Sequence, residues 1–468
     1  MSLMNLITNT GSGLAAQRAV SQTASHNIAN VSTPGYARQR VNLDAARATT
    51  GAGGAKIGNG MLVNGVTQAR DQFVEAQLPE SLSAASYYGA ESSVLTSVSQ
   101  LAPELPTGIP VNLGAFYGSL RELSENPASI GHRTAFVESA RGLAMSLRRA
   151  GEDIAANRQA VDVSVEAELP LINDLLEQVT ELNVRIRVAR AQSAGEPNDL
   201  LDQQQRAVDE ISELVGGKPM RDGDGNMTIM LPSGEPLITA TAAVRFVVQP
   251  DPANEGLNRI YVQPVDGGSP REVQFGDLGG KVGGMMDARD GALLETSDRL
   301  DQFAWELGNR INQIHRAGYG SNGDTGYDLF TMTTQNRAAR EININQDLVE
   351  DPTLVGAAGS ALVGSGDNTN VMAMLETENE NVGGLGGPPR AVLGDTIGRY
   401  GSLAKRSLST AEAETVARDY LIGMRDSASG VSVDEELIEL TKAQRAFEAM
   451  SKVADTTNQM LETILNLR

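Results

Sequence analysis

The 468-residue chain contains no cysteine, so disulfides, thiolate nucleophiles and cysteine-ligated metals are excluded. Histidine is nearly as scarce. His26, His132 and His315 lie far apart, without the spacing of a zinc-binding helix or the neighbours of a nucleophilic triad. Aromatic residues make up 4% of the chain, a poor supply of stacking platforms for sugars. No run of eighteen apolar residues occurs, so no membrane-spanning helix is expected. The N-terminus lacks a basic segment leading into an apolar core and a small-residue cleavage site, and a cleaved secretory leader is not expected either. The remaining absence is local: Met1 to Asn42 hold no Asp or Glu, only Arg18, Arg38 and Arg40, in a chain of formal charge -21 and pI near 4.6. Such an acidic balance argues against nucleic acid as a partner.

Within that acid-free stretch Leu3, Leu6, Ile7, Leu14, Val20, Ala24 and Ile28 recur at helical spacing. The other side carries Asn, Gln, Ser and Thr rather than charges, which suits a helix facing protein on more than one side. A helix over residues 3–30 is predicted. It ends where Asn27 and Asn30 can bond locally, where Pro34 forbids continuation and where Gly35 permits a sharp turn. At the other end of the chain Leu440, Ala443, Phe447, Met450, Ala454, Thr457, Leu461 and Ile464 form an unbroken heptad seam, flanked by charges from Glu439 to Glu462. Ser432 and Glu435 form a capping box, and Asp434, Glu435 and Glu436 suit the helix N-terminal dipole. Either helix alone is marginal in water. Burying a Leu, Ile or Phe side chain is worth about 1.5–3 kcal/mol, so the two termini are expected to pair as a coiled coil and to gain order on assembly.

Between the termini the pattern is mainly α with one small β-rich insertion, α+β overall. Helical periodicity covers residues 70–101, 113–125, 132–190 with a break at Pro170, 199–215, 280–317 and 395–426. Pro103, Pro106 and Pro110 mark a connector. From Gly216 the composition shifts to Gly, Pro and Asp with short β-prone runs at 227–231, 244–248 and 259–263. The expected organisation is a terminal coiled-coil region of residues 1–42 and 430–468, and a discontinuous helical bundle of 60–215, 280–318 and 366–429. An inserted β-rich domain spans 216–279. Residues 319–365 are expected as an irregular connecting segment, with the periphery beside the β-rich domain as an alternative place for it.

No chemical constellation survives inspection. Asp222-Gly223-Asp224-Gly225-Asn226 begins like a calcium loop, but Met227 and Ser233 stand where Gly and a bidentate Glu are required, so a hairpin turn is predicted. Gly279-Gly280-Lys281-Val282 lacks the remainder of a phosphate loop. Asp434 to Glu436 are read as capping and solvation rather than acid/base groups. No catalytic residue, cofactor or metal is expected.

The stretch SHNIANVSTPGYARQ, Ser25 to Gln39, resembles the N-terminal signature of the bacterial flagellar axial proteins, the rod, hook and hook-associated family, and Gly430 to Arg468 resembles their C-terminal signature. The ending Thr33 to Gln39, the lead-in Gly430 to Glu436 and the segment Gly279 to Asp290 are most similar to the hook-associated branch. His26 departs from the pattern, standing where the family usually has Asn. The resemblance implies a structural adaptor joining hook to filament, needed for filament assembly. It places Leu3, Leu6, Leu14, Ile28, Leu440, Phe447, Leu461 and Ile464 in the assembly interface, makes Asn27, Asn30, Pro34, Gly35 and Tyr36 the residues that shape the exit from it, and puts the β-rich domain outside. The implied partners are hook protein, a second hook-associated protein, further copies of the chain in a ring or helical layer, and an export chaperone on the C-terminal helix. The implied route is type III export to the flagellum outside the cell. Two other readings stay open: a hook or distal rod subunit of the same family, and a secreted surface protein or cell-wall enzyme.

Overall fold

The computed structural model describes residues 3–50, 56–101, 108–192, 195–223, 225–265, 267–274, 276–361 and 366–466. Helix α1 (Leu3–Ala29) is followed by a two-stranded ribbon, in which β1 (Gln39–Ala45) pairs antiparallel with β4 (Met61–Gln68) and the short β2 (Thr49–Thr50) with β3 (Lys56–Ile57). The ribbon folds back along α1: Asn9 Nδ2 donates to Gly58 O at 3.0 Å, and the Met61 amide meets Ser12 Oγ at 3.3 Å. Nothing in the sequence reading anticipated it. Residues 43–59 carried no assignment, while 39–42, expected in the terminal coiled-coil region, and 60–68, expected in the helical bundle, are strand residues here; their alternation is weak because both faces of the ribbon are largely exposed.

The body is built on α2 (Gln72–Leu101), α3 (Ile109–Glu125), α4 (Ile130–Gln192) and α5 (Asn198–Val215). The connector prolines Pro103 and Pro106 lie outside the described residues, while Pro110 sits in the first turn of α3, where its missing N–H costs nothing. Helix α4 runs unbroken for 63 residues through Pro170. The expected break is therefore corrected. Pro170 is on the exposed face, where the carbonyl it leaves unpaired can turn to water, while Leu169 and Ile172 stay buried on the other side and hold the axis.

The β-rich insertion comprises two three-stranded antiparallel sheets. The first is β5 (Lys218–Arg221), β6 (Met227–Met230) and β7 (Pro236–Ile238); the second is β8 (Val244–Pro250), β9 (Asn258–Pro264) and β10 (Arg271–Glu272), with β6 and β9 central. Residues 222–226 form the turn between β5 and β6, with Asp222 Oδ1 accepting from the Asn226 amide at 2.8 Å; Asp224 lies outside the described residues. Leu176 and Val179 of α4 and Ile211 of α5 share one core with Ile229, Phe246 and Ile260 of the sheets. Two α4 asparagines pin the strands: Asn183 exchanges bonds with both backbone groups of Met227 at 2.8 Å, and Asn173 does the same with Phe246 at 2.7 and 3.0 Å.

The chain returns through α6 (Gly280–Asp287), a wide π-turn at Ala288–Ala292 and α7 (Leu293–Ala317). Gly284 sits so close to α2 that a Cβ would lie 2.0 Å from Tyr87 O, so this crossing tolerates no side chain. At the π-turn Arg289 is fully buried. Its guanidinium pairs with Asp162 of α4, bonds Asp290 Oδ2 at 2.6 Å and donates to Asn258 O of β9 at 2.8 Å, tying the sheet to the bundle.

Of residues 319–365 the structure describes 319–361, and these are not merely irregular. They form β11 (Phe330–Thr331), α8 (Ala338–Glu341), β12 (Asn343–Ile344) and α9 (Gln346–Glu350), and Leu329, Phe330, Ile342, Leu348 and Val355 lie in the same core as Phe116, Phe136 and Phe303. The segment thus belongs with the helical core, not with the β-rich periphery. Periodicity could not reveal this, because each element is shorter than two helical turns. Helix α10 (Thr369–Glu376), α11 (Pro389–Ser429) and α12 (Val433–Asn466) complete the chain. Helix α11 packs antiparallel along α2, with Tyr400 donating to Leu95 O at 2.5 Å and Ser407 to Glu91 at 2.7 Å. Helix α12 then turns back to pair with α1.

Candidate assembly interface

Helices α1 and α12 run antiparallel, with Gly13 against Met450 and Asn27 against Glu436. The centre of the contact is made by small residues. Thr10, Gly13, Ala16 and Ala24 are buried on α1, and Ala443 and Thr457 on α12. The residues singled out from the sequence sit around this strip rather than in it. Leu3, Leu6, Leu14, Ile28, Leu440 and Leu461 are half-buried, while Phe447 and Ile464 remain 42% and 53% exposed. The pair within one chain therefore leaves much of its apolar surface uncovered.

Where α1 ends, the signature residues close into a hydrogen-bonded neck. Asn27 is 1% exposed and uses its full bonding capacity: Nδ2 donates to Gln39 O at 2.9 Å and to Glu436 Oε2 at 3.0 Å, and Oδ1 accepts from the Gln39 amide at 3.0 Å and the Tyr36 hydroxyl at 2.7 Å. Only an amide side chain can donate twice and accept twice in this way. Because Tyr36 spends its proton on Asn27, His26 Nδ1, 2.9 Å from the same oxygen, must be the donor, which fixes the His26 tautomer. Asn30 closes the helix end, donating to His26 O at 2.9 Å and accepting from Thr33 Oγ1 at 3.2 Å. Pro34 offers its carbonyl to Arg206 at 3.3 Å. Gly35 has φ +72°, and a Cβ there would lie 2.6 Å from the Arg206 side chain, so glycine is required both conformationally and sterically. Burial pushes the Tyr36 hydroxyl pKa up, with Asp199, Asp202 and Glu436 adding to the effect, so it stays a donor.

Three further elements converge here that the sequence reading missed. Arg38 bonds Glu436 at 2.6 Å and Glu435 at 2.7 Å, and its amide donates to Ser429 O at 2.8 Å at the end of α11. Glu435 and Glu436, expected to cap and solvate α12, thus serve as anchors for the N-terminal strand. Asp202 of α5 accepts from Arg70 at 2.5 Å and Gln68 at 2.8 Å. Asp209 of α5 pairs with Arg425 of α11 at 2.9 Å. The available signals were Arg38 inside the N-terminal signature and the acid run at Asp434, but nothing local joins residues 398 positions apart. Among the described residues no cluster of His, Asp or Glu could hold a metal ion, and no helix is long and apolar enough to cross a membrane.

Residues 425–467 match the family described as flagellar basal body rod FlgEFG protein C-terminal. Over the whole chain the sequence is 24% identical to flagellar hook-associated protein 1 of Salmonella typhimurium across 560 aligned positions, and 25% identical to the protein of that name from Escherichia coli across 553, with all of both chains covered in each case. The Bacillus subtilis protein of the same name is 25% identical, covering 97% of this chain and 96% of its own. The fold is shared with the flagellar hook junction protein FlgK from Burkholderia pseudomallei, with a TM-score of 0.68 and 14% identity over 76% of this chain and all of that one. Residues 95–330, half of the chain, match the flagellar hook-associated protein FlgK helical domain, and the chain belongs to that family.

Proposed function

We propose that this protein is the structural adaptor at the junction of flagellar hook and filament, exported to the cell exterior, with its paired terminal helices as the element that enters the axial lattice. The observation that carries the reading is the neck. A helix pair with exposed apolar edges is held at a set angle to a large rigid body by Asn27, Tyr36, Arg38 and Glu436. Such a part transmits orientation between neighbours above and below without turnover. The apolar edge at Phe447 and Ile464 supports two partners for α12, a second axial subunit after assembly and an export chaperone before it, because an uncovered stripe invites aggregation. Hook protein and a second hook-associated protein are the expected neighbours. In this reading the terminal pair, the helical body and the β-rich insertion are three working parts, with the insertion pointing outward.

Electron microscopy of cells lacking the gene tests this, together with an assay of the medium for flagellin. Hooks without filaments and monomeric flagellin in the medium are expected. Absent hooks would make the chain a hook or rod subunit, a reading to which the match of residues 425–467 with the rod-protein family lends some weight. Intact filaments would overturn the axial reading altogether.

A further inference from the structure

Through its middle, helix α4 buries one face and leaves the opposite one open. Val161, Val165, Leu169 and Ile172 pack into the core shared with the β-rich insertion. On the far side Ala156, Ala160, Val163, Ala167, Pro170 and Leu171 form a single strip, because at about 100° per residue they fall within roughly a third of the helix circumference. All six are exposed, Val163 at 58% and Leu171 at 48%. Ser164 on the edge of the strip spends its hydroxyl inside the helix, donating to Ala160 O at 2.8 Å. The strip is about 22 Å long and holds no charge. A solvent-facing helix surface ordinarily carries charge on most turns.

Its borders carry one sign only. From Glu152 to Glu181 the helix has eight carboxylates and one cation, Arg158, which is 3% exposed. Glu152 stands in line before the strip, Asp174 in line after it and Glu166 on its edge, all three exposed. Pro170 adds a backbone acceptor. It has no N–H to give to Glu166 O four residues earlier, so that carbonyl lacks its helix donor beside the apolar residues. A proline on the exposed face of a helix interior costs stability, and no buried neighbour accounts for it here.

We propose that this strip of α4 is the docking face for a basic amphipathic helix of another protein, its apolar residues against Val163, Ala167, Pro170 and Leu171 and its Lys and Arg side chains over the acidic borders. Charge selects the partner. Eight carboxylates against one buried arginine repel an acidic segment, and a second copy of this chain carries -21 overall. Alanine at 156, 160 and 167 lets a second backbone come close, while Val163 and Leu171 fill the grooves between its side chains. A cation reaching in from the flank finds Glu166 O as well as the carboxylates, so one side chain can satisfy the acceptor that Pro170 leaves without a donor. The strip is separate from the α1–α12 pair, and the proposal goes beyond the junction reading and does not rest on it.

Fluorescence anisotropy of the full-length protein tests the surface, with a labelled probe peptide of about sixteen residues, long enough to cover the strip, that carries Leu at helix positions i, i+3, i+4 and i+7 and Lys elsewhere. Saturable binding is expected, and Val163→Asp should weaken it at least about tenfold by putting a charge into the contact. The same variant adds a ninth acid to this stretch of α4, so attraction by net charge alone would tighten binding instead. Equal or tighter binding by Val163→Asp overturns the proposal. Glu166→Gln combined with Asp174→Gln leaves the strip untouched and should cost about threefold to tenfold, which carries the test if Val163→Asp does not fold; unchanged affinity there overturns it too. In cells, a photoreactive amino acid at position 163 should attach to another protein through a segment rich in Lys and Arg. Attachment to a second copy of this chain, attachment through an acidic segment, or no adduct at all would each refute the assignment.

Discussion

Replacing Asn27 by Ala should uncouple the terminal helices from the body without unfolding either. The substitution deletes four hydrogen bonds at a position only 1% exposed. At about 1 kcal/mol net per bond the loss is about 4 kcal/mol, and Glu436 left with fewer donors in a dry site pushes the figure up rather than down. Since 1.4 kcal/mol is a factor of ten, local opening of the neck should become about 10³-fold more populated. Native-state hydrogen exchange reads this directly: amides of residues 24–29 and 39 should speed up by about that factor, while α4 amides such as those near Leu147 and Ile172 stay unchanged. Asn9→Ala, which removes one bond to Gly58 at the periphery, should change rates by less than about tenfold. If the Asn27 variant exchanges like the wild type in residues 24–29, the neck does not hold the helix, and the argument from its hydrogen bonds is wrong.

Burial pushes the Asp209 carboxyl up to about 6, against the opposing pull of Gln205 and Arg425. The folded state therefore binds an extra proton between about pH 4 and pH 6, so the contribution of this group to stability falls as pH rises through that window and is flat above it. A carbon-detected NMR titration should place its midpoint near 6, and a midpoint below 4 would refute the assignment. Pro170→Ala should stabilise the protein by about 1–3 kcal/mol in urea melts, because it restores a backbone bond and helix propensity at an exposed site in α4; a loss of stability would mean that the proline fits a bend the helix needs. Arg289→Met should destabilise by about 3–5 kcal/mol, since it strands Asp162 and Asp290 beside the π-turn, and an unchanged thermal midpoint would show that water already screens those carboxylates.

The helical frame was readable because its signals are local. The period of the apolar positions, the stop at Asn30 to Gly35 and the shift to Gly and Asp after Gly216 each act within a turn or two of chain, and the elements at 3–29, 198–215 and 433–466 follow them closely. The ribbon at 39–68 was not readable, because a strand pair exposed on both faces lacks the alternation that burial imposes. The core position of 330–355 was hidden for a related reason, its short pieces owing their shape to the α3, α4 and α7 surfaces they cover.

The candidate site divides in the same way. Sequence by itself determined that both ends are amphipathic helices, that the first is free of acid, and that the chain must turn sharply at Pro34-Gly35, since these depend on side-chain period, charge and allowed dihedral angles. Tertiary structure alone decided that Asn27 answers Glu436 across 409 residues, that Arg38 joins the same knot, and that small residues rather than the leucines occupy the centre of the α1–α12 contact. Those outcomes hang on which faces meet and how closely two backbones approach, and closeness is a property of the packed pair that neither helix carries in its own sequence.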